Sequence, residues 1–374
     1  MCLSLLRPAE ATKATSKLAH YLLNPELKSL IKNLINSEMK NITKKIILAG
    51  GSGFLGRALA KELTGNGYEV VILSRRIGES NGKIRTAFWD GQTMGAWCAE
   101  LDGAHAVINL SGRSVDCRYT LKNRRAILES RLKSTRILAL AIKDAAAPPK
   151  LWVNAASATI YADTRGEAPA NTEVDGVIGE GFSVGVCQAW EAEFNRWTLP
   201  ATRQVCLRVA ITLGAEGGAM VPLIRLAKLG LGGQQGDGQQ YVSWLHIDDL
   251  CGIVAAVVEG RLPGDLYNCA SPQAVKNVDF MRAIRRAVGG LARYIGLPTP
   301  KVMLKIGAWL IRTETELVLK SRKVAPQNLM NKGYRFQYEQ IEDALSAILL
   351  KPKIVNRREF HDKALVNRAR GDVT

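Results

Sequence analysis

The stretch that decides the fold is "KKIILAGGSGFLGRALAKELTGNG", residues 44–67. A short apolar run ends in glycines, a helical pattern begins inside the turn, and Gly-Asn-Gly closes it. Gly50, Gly53 and Gly56 stand in a G-x-x-G-x-x-G arrangement. Glycine turns are common, but one that follows a strand and opens a helix is suited to a pyrophosphate. Gly50 permits the tight turn, Gly53 lets the backbone approach the phosphates, and Gly56 allows close helix–strand packing. Gly51, Ser52, Phe54 and Leu55 complete the turn, where free N–H groups at the helix start face the phosphate oxygens.

Working outward, strands and helices alternate. "YEVVILSRR" (68–76), "KIRTAFW" (83–89) and "HAVINLSG" (105–112) read as the second to fourth strands. A long helix follows from Thr120 to about Ala147, ended by Pro148-Pro149. "LWVNAASA" (151–158) and "RQVCLRVAIT" (203–212) read as the fifth and sixth strands. This alternation predicts an α/β fold, a Rossmann-type doubly wound parallel sheet. Beyond 213 the pattern loosens into a glycine-rich loop, "LGLGGQQGDGQQ", a strand–helix unit, "YVSWLHIDDLCGIVAAVVEG", and a helical end. The expected organisation is an N-terminal extension (1–40) and a nucleotide-binding domain (43–213 plus about 243–262). A smaller mixed substrate or lid domain (about 214–242 and 263–350) and a basic tail (351–374) complete it.

The second strand ends in Ser74-Arg75-Arg76, with no carboxylate before Glu79. An NAD site places Asp or Glu there to accept from the ribose 2′-hydroxyl. A guanidinium instead grips a 2′-phosphate with charge-assisted hydrogen bonds. Ser74 and Arg75 therefore point to NADP(H). One such bond contributes about 1.5–3 kcal/mol, roughly a ten- to hundredfold preference.

Composition narrows the classes. Apolar content of 47% and charged content of 23% are ordinary for a globular chain of 374 residues. No apolar run reaches 18 residues, so no membrane span is expected. The net charge of +17 is spread along the chain, with seven Lys/Arg against three Asp/Glu in 351–374. No nucleic-acid reading module accompanies it, so nucleic acid is not an expected partner. Seven cysteines without a CxxC pair, and four histidines without HExxH, leave no metal site. Reduced thiols suit a cytoplasmic protein, here expected as a monomer or homodimer with a small-molecule substrate. Apolar residues from Leu18 to Leu34 have helical spacing. Met39 reads like a natural start leading into the first strand, so the first 38 residues read as an extension without a catalytic role or as the result of a misplaced start.

Further markers are "VILSRR", "AVINLSG", "ILESRLKSTRIL", "GGAM", "LGLGG", "YVSWLHIDDL" and "YNCASPQAVKN". Together with "GGSGFLGRAL" they make residues 44–350 resemble the extended short-chain dehydrogenase/reductases. The resemblance lies within the NAD(P)-dependent epimerase/dehydratase group. It is narrowest to the atypical sugar-nucleotide-epimerase-like branch with a small uncharacterised C-terminal domain. It implies an oxidoreductase or epimerase. It also implies that Leu110, Ser111 and Gly112 line the adenine-to-ribose side and that Arg131 reaches the cofactor region. Ser157 would hydrogen-bond a reacting carbonyl or hydroxyl, and Thr212 would contact the nicotinamide end.

One segment departs from most of that superfamily, which carries a tyrosine acid and, four residues later, a lysine. In "GEGFSVGVCQAWEAEF" (179–194) the tyrosine slot is Phe182 or Ser183, and the lysine slot is Val186 or Cys187. Neither pair supplies the acid and the cation, as in the atypical branch. Positioned acid–base catalysis contributes about 10²–10⁴-fold, so a surrogate is expected. Tyr161, four residues after Ser157, is the first candidate, and His246 and Asp248 follow. Trp190, Trp197 and Trp244 read as core. Two function classes remain: an NADP-dependent enzyme on a small polar or nucleotide-linked substrate, or a non-catalytic NADP(H)-binding sensor or scaffold.

Overall fold

The computed structural model describes residues 44–78, 80–300 and 316–349. The expected extension, the basic tail and Glu79 lie outside the described residues. In chain order the elements begin β1 (Lys45–Ala49), α1 (Phe54–Gly65), β2 (Glu69–Ser74), β3 (Ile84–Phe88) and β4 (Ala106–Asn109). There follow α2 (Leu121–Asp144), β5 (Leu151–Ser157), α3 (Phe182–Asn195) and β6 (Arg203–Val209). Next come β7 (Ile211–Leu213), α4 (Met220–Lys228), β8 (Tyr241–Val242), β9 (Trp244–His246) and α5 (Ile247–Val258). The described chain closes with β10 (Leu266–Cys269), β11 (Val275–Lys276), α6 (Asn277–Val288), α7 (Glu316–Leu319), α8 (Gln327–Asn331) and α9 (Ile341–Leu349).

Seven strands form one parallel sheet in the order β10-β6-β5-β4-β1-β2-β3. The chain builds outward from β1 to β3, then crosses back to β4 and builds the other way. The direction therefore reverses between β1 and β4, where doubly wound sheets bind ligands at their carboxyl ends. The apolar strands are buried on both faces, as such sheets require. Ile46, Leu48, Val70, Ile72 and Ile108 pack with Leu59 and Leu63 of α1 and Leu250 and Val254 of α5. Their alternates Ile47, Ala49, Val71, Leu73 and Val107 pack with Leu138 and Ile142 of α2 and Phe194 of α3.

Two details differ from the sequence reading. The predicted sixth strand is two: β6 stays in the sheet, whereas β7 leaves it to pair with β9. A seventh strand, β10, pairs with β6 from within the segment read as the smaller domain. Its residues, "LYNC", are too few to show a period. A third apolar cluster joins α4, α6 and α9 through Met220, Phe280, Met281, Ile284 and Leu345, with Trp244 beneath. It is tied to the sheet by Asp249, whose carboxylate oxygens accept the Gln337 and Tyr338 N–H groups at 2.6 and 3.1 Å.

Candidate functional site

The glycine turn lies at the β1–β4 crevice. Gly50 has φ +73°, a left-handed conformation, and its N–H donates to Leu73 O at 2.9 Å. A Cβ there would stand 2.8 Å from Ser111 Oγ, so the first turn and the end of β4 touch. A Cβ on Gly56 would stand 2.2 Å from Gly51 O, so the helix start presses on the turn. At Gly53 a Cβ would meet nothing within 4 Å: this position faces open space. Gly53 also precedes α1 with no side-chain cap on the helix N–H groups. Ser52 and Gly53 are exposed, Gly51 is buried, and Phe54 and Leu55 are half-buried. The Phe54 ring packs beneath Gly214 and Gly217.

Beside this turn is an open cleft of about 700 Å³ lined by Ser52, Ser74, Arg75, Arg76, Ile77 and Gly78. It joins the phosphate turn to the end of β2. Ser74 Oγ accepts the Arg76 N–H at 3.3 Å, and both arginines are exposed. Across the crevice, Ser111 N–H donates to Asn109 Oδ1 at 3.0 Å, while Leu110 is half-buried and Gly112 exposed. Arg131 reaches Gly112 from α2: a Cβ there would lie 3.1 Å from its Cζ. The Arg131 guanidinium lies over the Trp190 ring at 5.1 Å and donates to the Arg113 and Ile127 carbonyls. Burial lowers its pKa, and no carboxylate pairs with it among the described residues.

Ser157 ends β5, its Oγ accepting the Thr159 N–H at 3.2 Å. It neighbours the Cys187 thiol of α3. Burial pushes that thiol up to about 11, so it is neutral at physiological pH. Thr212 sits in β7 with its hydroxyl donating to Ala210 O at 3.3 Å. Its carbonyl backs Gly218, in the loop that covers Phe54. Phe182 makes an edge contact with Tyr119 at 4.9 Å, and Ser183 Oγ donates to Glu316 Oε2 at 3.2 Å.

The structure does not bring Tyr161 to this group. The ring is fully buried, and its hydroxyl donates to Asn268 Oδ1 and accepts from Arg208 Nη1, both at 2.8 Å. Arg208 is in turn held bidentate by Glu191 at 2.8 and 2.7 Å. Burial raises the Tyr161 pKa, and the hydroxyl is saturated by protein. His246 is likewise buried and caps α5, its Nδ1 accepting the Asp248 N–H at 3.1 Å. Its ring packs against that of Tyr338, tilted by 42° with centroids 4.0 Å apart. Trp190 and Trp244 are core, as read, and Trp197 is half-buried.

Sequence reasoning missed a strap formed by residues 319–325. Its Lys323 O accepts the Asn171 N–H at 2.8 Å, and Asn171 O accepts the Ala325 N–H at 2.9 Å. Ser321 Oγ donates to Thr164 O, and Lys320 Nζ to Glu180 O at 2.8 Å. The strap thus lies against the segment leading into α3. Nothing in "SRKVAP" signals this, because the strap's partners, among them Thr164, Asn171, Glu180 and Ser243, lie far away in the sequence.

A switch-point crevice, a glycine turn and a strand-end serine describe many nucleotide folds. Comparison of the whole chain decides which. The profile of the NAD dependent epimerase/dehydratase family matches residues 46–270, more than half of the chain. The chain belongs to that family. Its match ends just after β10, the seventh strand of the sheet. A domain of unknown function (DUF1731) matches residues 299–348 of this epimerase/dehydratase-family chain. Human epimerase family protein SDR39U1 is 31% identical over 309 residues, covering 82% of this chain and 99% of the relative. Epimerase family protein YfhF of Bacillus subtilis is 30% identical over 310 residues, covering 83% and 99%. The crystal structure of human SDR39U1 with NADPH superposes with a TM-score of 0.72 at 30% identity. It covers 82% of this chain and 100% of that one. No described helix is long and apolar enough to cross a membrane.

Proposed function

We propose that this epimerase/dehydratase-family chain is an NADP(H)-dependent oxidoreductase or epimerase acting on a small polar or nucleotide-linked substrate. The observation that carries the reading is the cleft joining Ser52 of the phosphate turn to Ser74, Arg75 and Arg76. Arg75 would grip the 2′-phosphate, and the uncapped N–H groups after Gly53 would hold the pyrophosphate. Leu110, Ser111 and Gly112 would line the adenine-to-ribose side, with Arg131 beside them. When bound, the nicotinamide supplies hydride transfer to or from carbon. Ser157 would then orient the reacting oxygen, and the cluster of α4, α6 and α9 would close over the substrate as a lid. The six described cysteines are free, which supports a cytoplasmic setting.

The cofactor assignment is tested by titrating NADPH and NADH with nicotinamide fluorescence. NADPH is expected to bind more tightly, and Arg75→Ala to narrow the gap about tenfold or more. Equal affinities in the unaltered protein would remove the role given to Arg75.

A second reading has its own support. Phe182 carries no proton, Cys187 is a neutral thiol, and the Tyr161 hydroxyl is sealed. A site without the usual tyrosine acid and lysine cation suits a non-catalytic NADP(H)-binding sensor or scaffold. A carbonyl panel with NADPH separates the two: turnover lowered about 10²-fold or more by Ser157→Ala supports the enzyme, and no turnover by the unaltered protein supports the sensor.

A further inference from the structure

The α4–α6–α9 cluster carries a surface that the cofactor cleft does not use. α4 ends at Lys228 and α6 at Val288, and each runs into a turn containing glycine. The first turn presents Leu229 and Leu231, and the second presents Leu291, Tyr294, Ile295 and Leu297. The two turns adjoin: the Leu297 N–H donates to Gly230 O at 2.9 Å, and a Cβ on Gly230 would stand 3.3 Å from Ile295 Cγ2. Leu229, Leu291 and Tyr294 are 73%, 78% and 81% exposed, so they project from the turns rather than line a groove. Single exposed apolar residues are ordinary. Six large ones on two adjoining turns form a patch, and a patch of this kind marks an interaction surface.

Charge indicates what covers it. Arg225, Lys228, Arg282, Arg286 and Arg293 are exposed on or beside the two turns, and Arg285 ties α6 to the first turn by donating to Gly232 O at 2.8 Å. Residues 219–236 and 280–300 contain no Asp or Glu. Among the described residues, only Arg282 of the five exposed cations has a carboxylate partner, Asp279 at 2.6 Å. The rest of the chain offers no counter-charge. Residues 301–315 hold three Lys/Arg against one Glu, residues 1–40 six against three, and residues 351–374 seven against three Asp/Glu. A second copy would set cation against cation. The complementary surface is therefore anionic and belongs to another molecule. It must also accept projecting leucine and tyrosine side chains, as the interfacial region of a bilayer does. We propose that this face docks peripherally on a membrane containing anionic phospholipid. Leu229, Leu291, Tyr294 and Leu297 enter the headgroup region, and the surrounding cations lie over the phosphates. The inference goes beyond the proposed function and does not depend on the cofactor.

The test uses the full chain and vesicles of two compositions: phosphatidylcholine alone, and equal parts phosphatidylcholine and phosphatidylglycerol. Binding is read by co-sedimentation. The protein is expected to sediment with the anionic vesicles and to stay in solution with the neutral ones, and added salt should weaken the association. Leu291→Ser combined with Tyr294→Ser should weaken vesicle binding tenfold or more. Melting temperature and NADPH affinity should not change, because both side chains lie in water. Arg286→Glu combined with Arg293→Glu should weaken vesicle binding as much. No sedimentation of the unaltered protein with anionic vesicles, equal binding to neutral ones, or unchanged binding in both variants would overturn the proposal. A lower melting temperature in the first variant would also overturn it, by showing that this chain's own residues, such as 301–315, cover the face. So would a concentration-dependent dimer in light scattering that the first variant dissolves, since a second copy would then be the occupant. Poly-glutamate is the control for an acidic protein. If it binds as tightly as the anionic vesicles, the lipid assignment falls.

Discussion

At the scale of single residues, Gly53 and Gly56 separate ligand geometry from packing. A methyl at Gly56 would collide with the Gly51 peptide at 2.2 Å, and backbone cannot step aside cheaply. Gly56→Ala should therefore lose about 1–3 kcal/mol of stability, as overpacking does, together with cofactor affinity. Gly53 has φ −80°, which alanine adopts, and open space around its missing Cβ. Gly53→Ala should keep the melting temperature and weaken NADPH binding about tenfold or more, because the methyl occupies the pyrophosphate's approach. Thermal melts beside fluorescence titrations read both. An affinity left intact by Gly53→Ala would move the phosphates elsewhere.

At the scale of elements, the turn after β5, β6, β10 and α3 are locked together by Tyr161, Arg208, Asn268 and Glu191. Tyr161→Phe leaves a buried guanidinium N–H without its acceptor. It should cost about 1–3 kcal/mol in urea unfolding while NADPH affinity stays unchanged. An acid role would give the reverse pattern, with turnover reduced about 10²-fold and stability kept. The limits of sequence reading follow from the same elements. β1, β2, β4, β5 and β6 were legible because largely buried strands leave apolar runs between glycine and proline stops. The glycine turn was legible because its spacing is local. Tyr161 was misplaced because its distance from Ser157 along the chain says nothing of which way the ring points. Its partners, Arg208 and Asn268, lie 47 and 107 residues away.

At the scale of the whole molecule, Asp249 couples the sheet to the α4–α6–α9 cluster. Burial pushes its carboxyl up to about 6, against the pull of the Gln337 and Tyr338 amides. The folded value stands above the unfolded one of about 3.9. Its contribution to stability is thus full below about pH 4 and is lost as pH rises through about 6. Asp249→Asn cannot titrate. The stability of the unaltered protein relative to this variant should fall by up to about 3 kcal/mol between pH 4 and 7. Urea unfolding across that range measures it, and a flat difference would mean that the amides hold the carboxylate fully. The strap over residues 164–171 has a consequence in time. Asn171 is bonded to Lys323, 152 residues later. At roughly 5–20 residues per second of synthesis, the strap leaves the ribosome roughly 8–30 seconds after the segment it fastens. The nucleotide-binding strands β1 to β6 can meanwhile pair. A nascent chain stalled between β10 and the strap would then hold a finished seven-stranded sheet with the segment leading into α3 still unfastened.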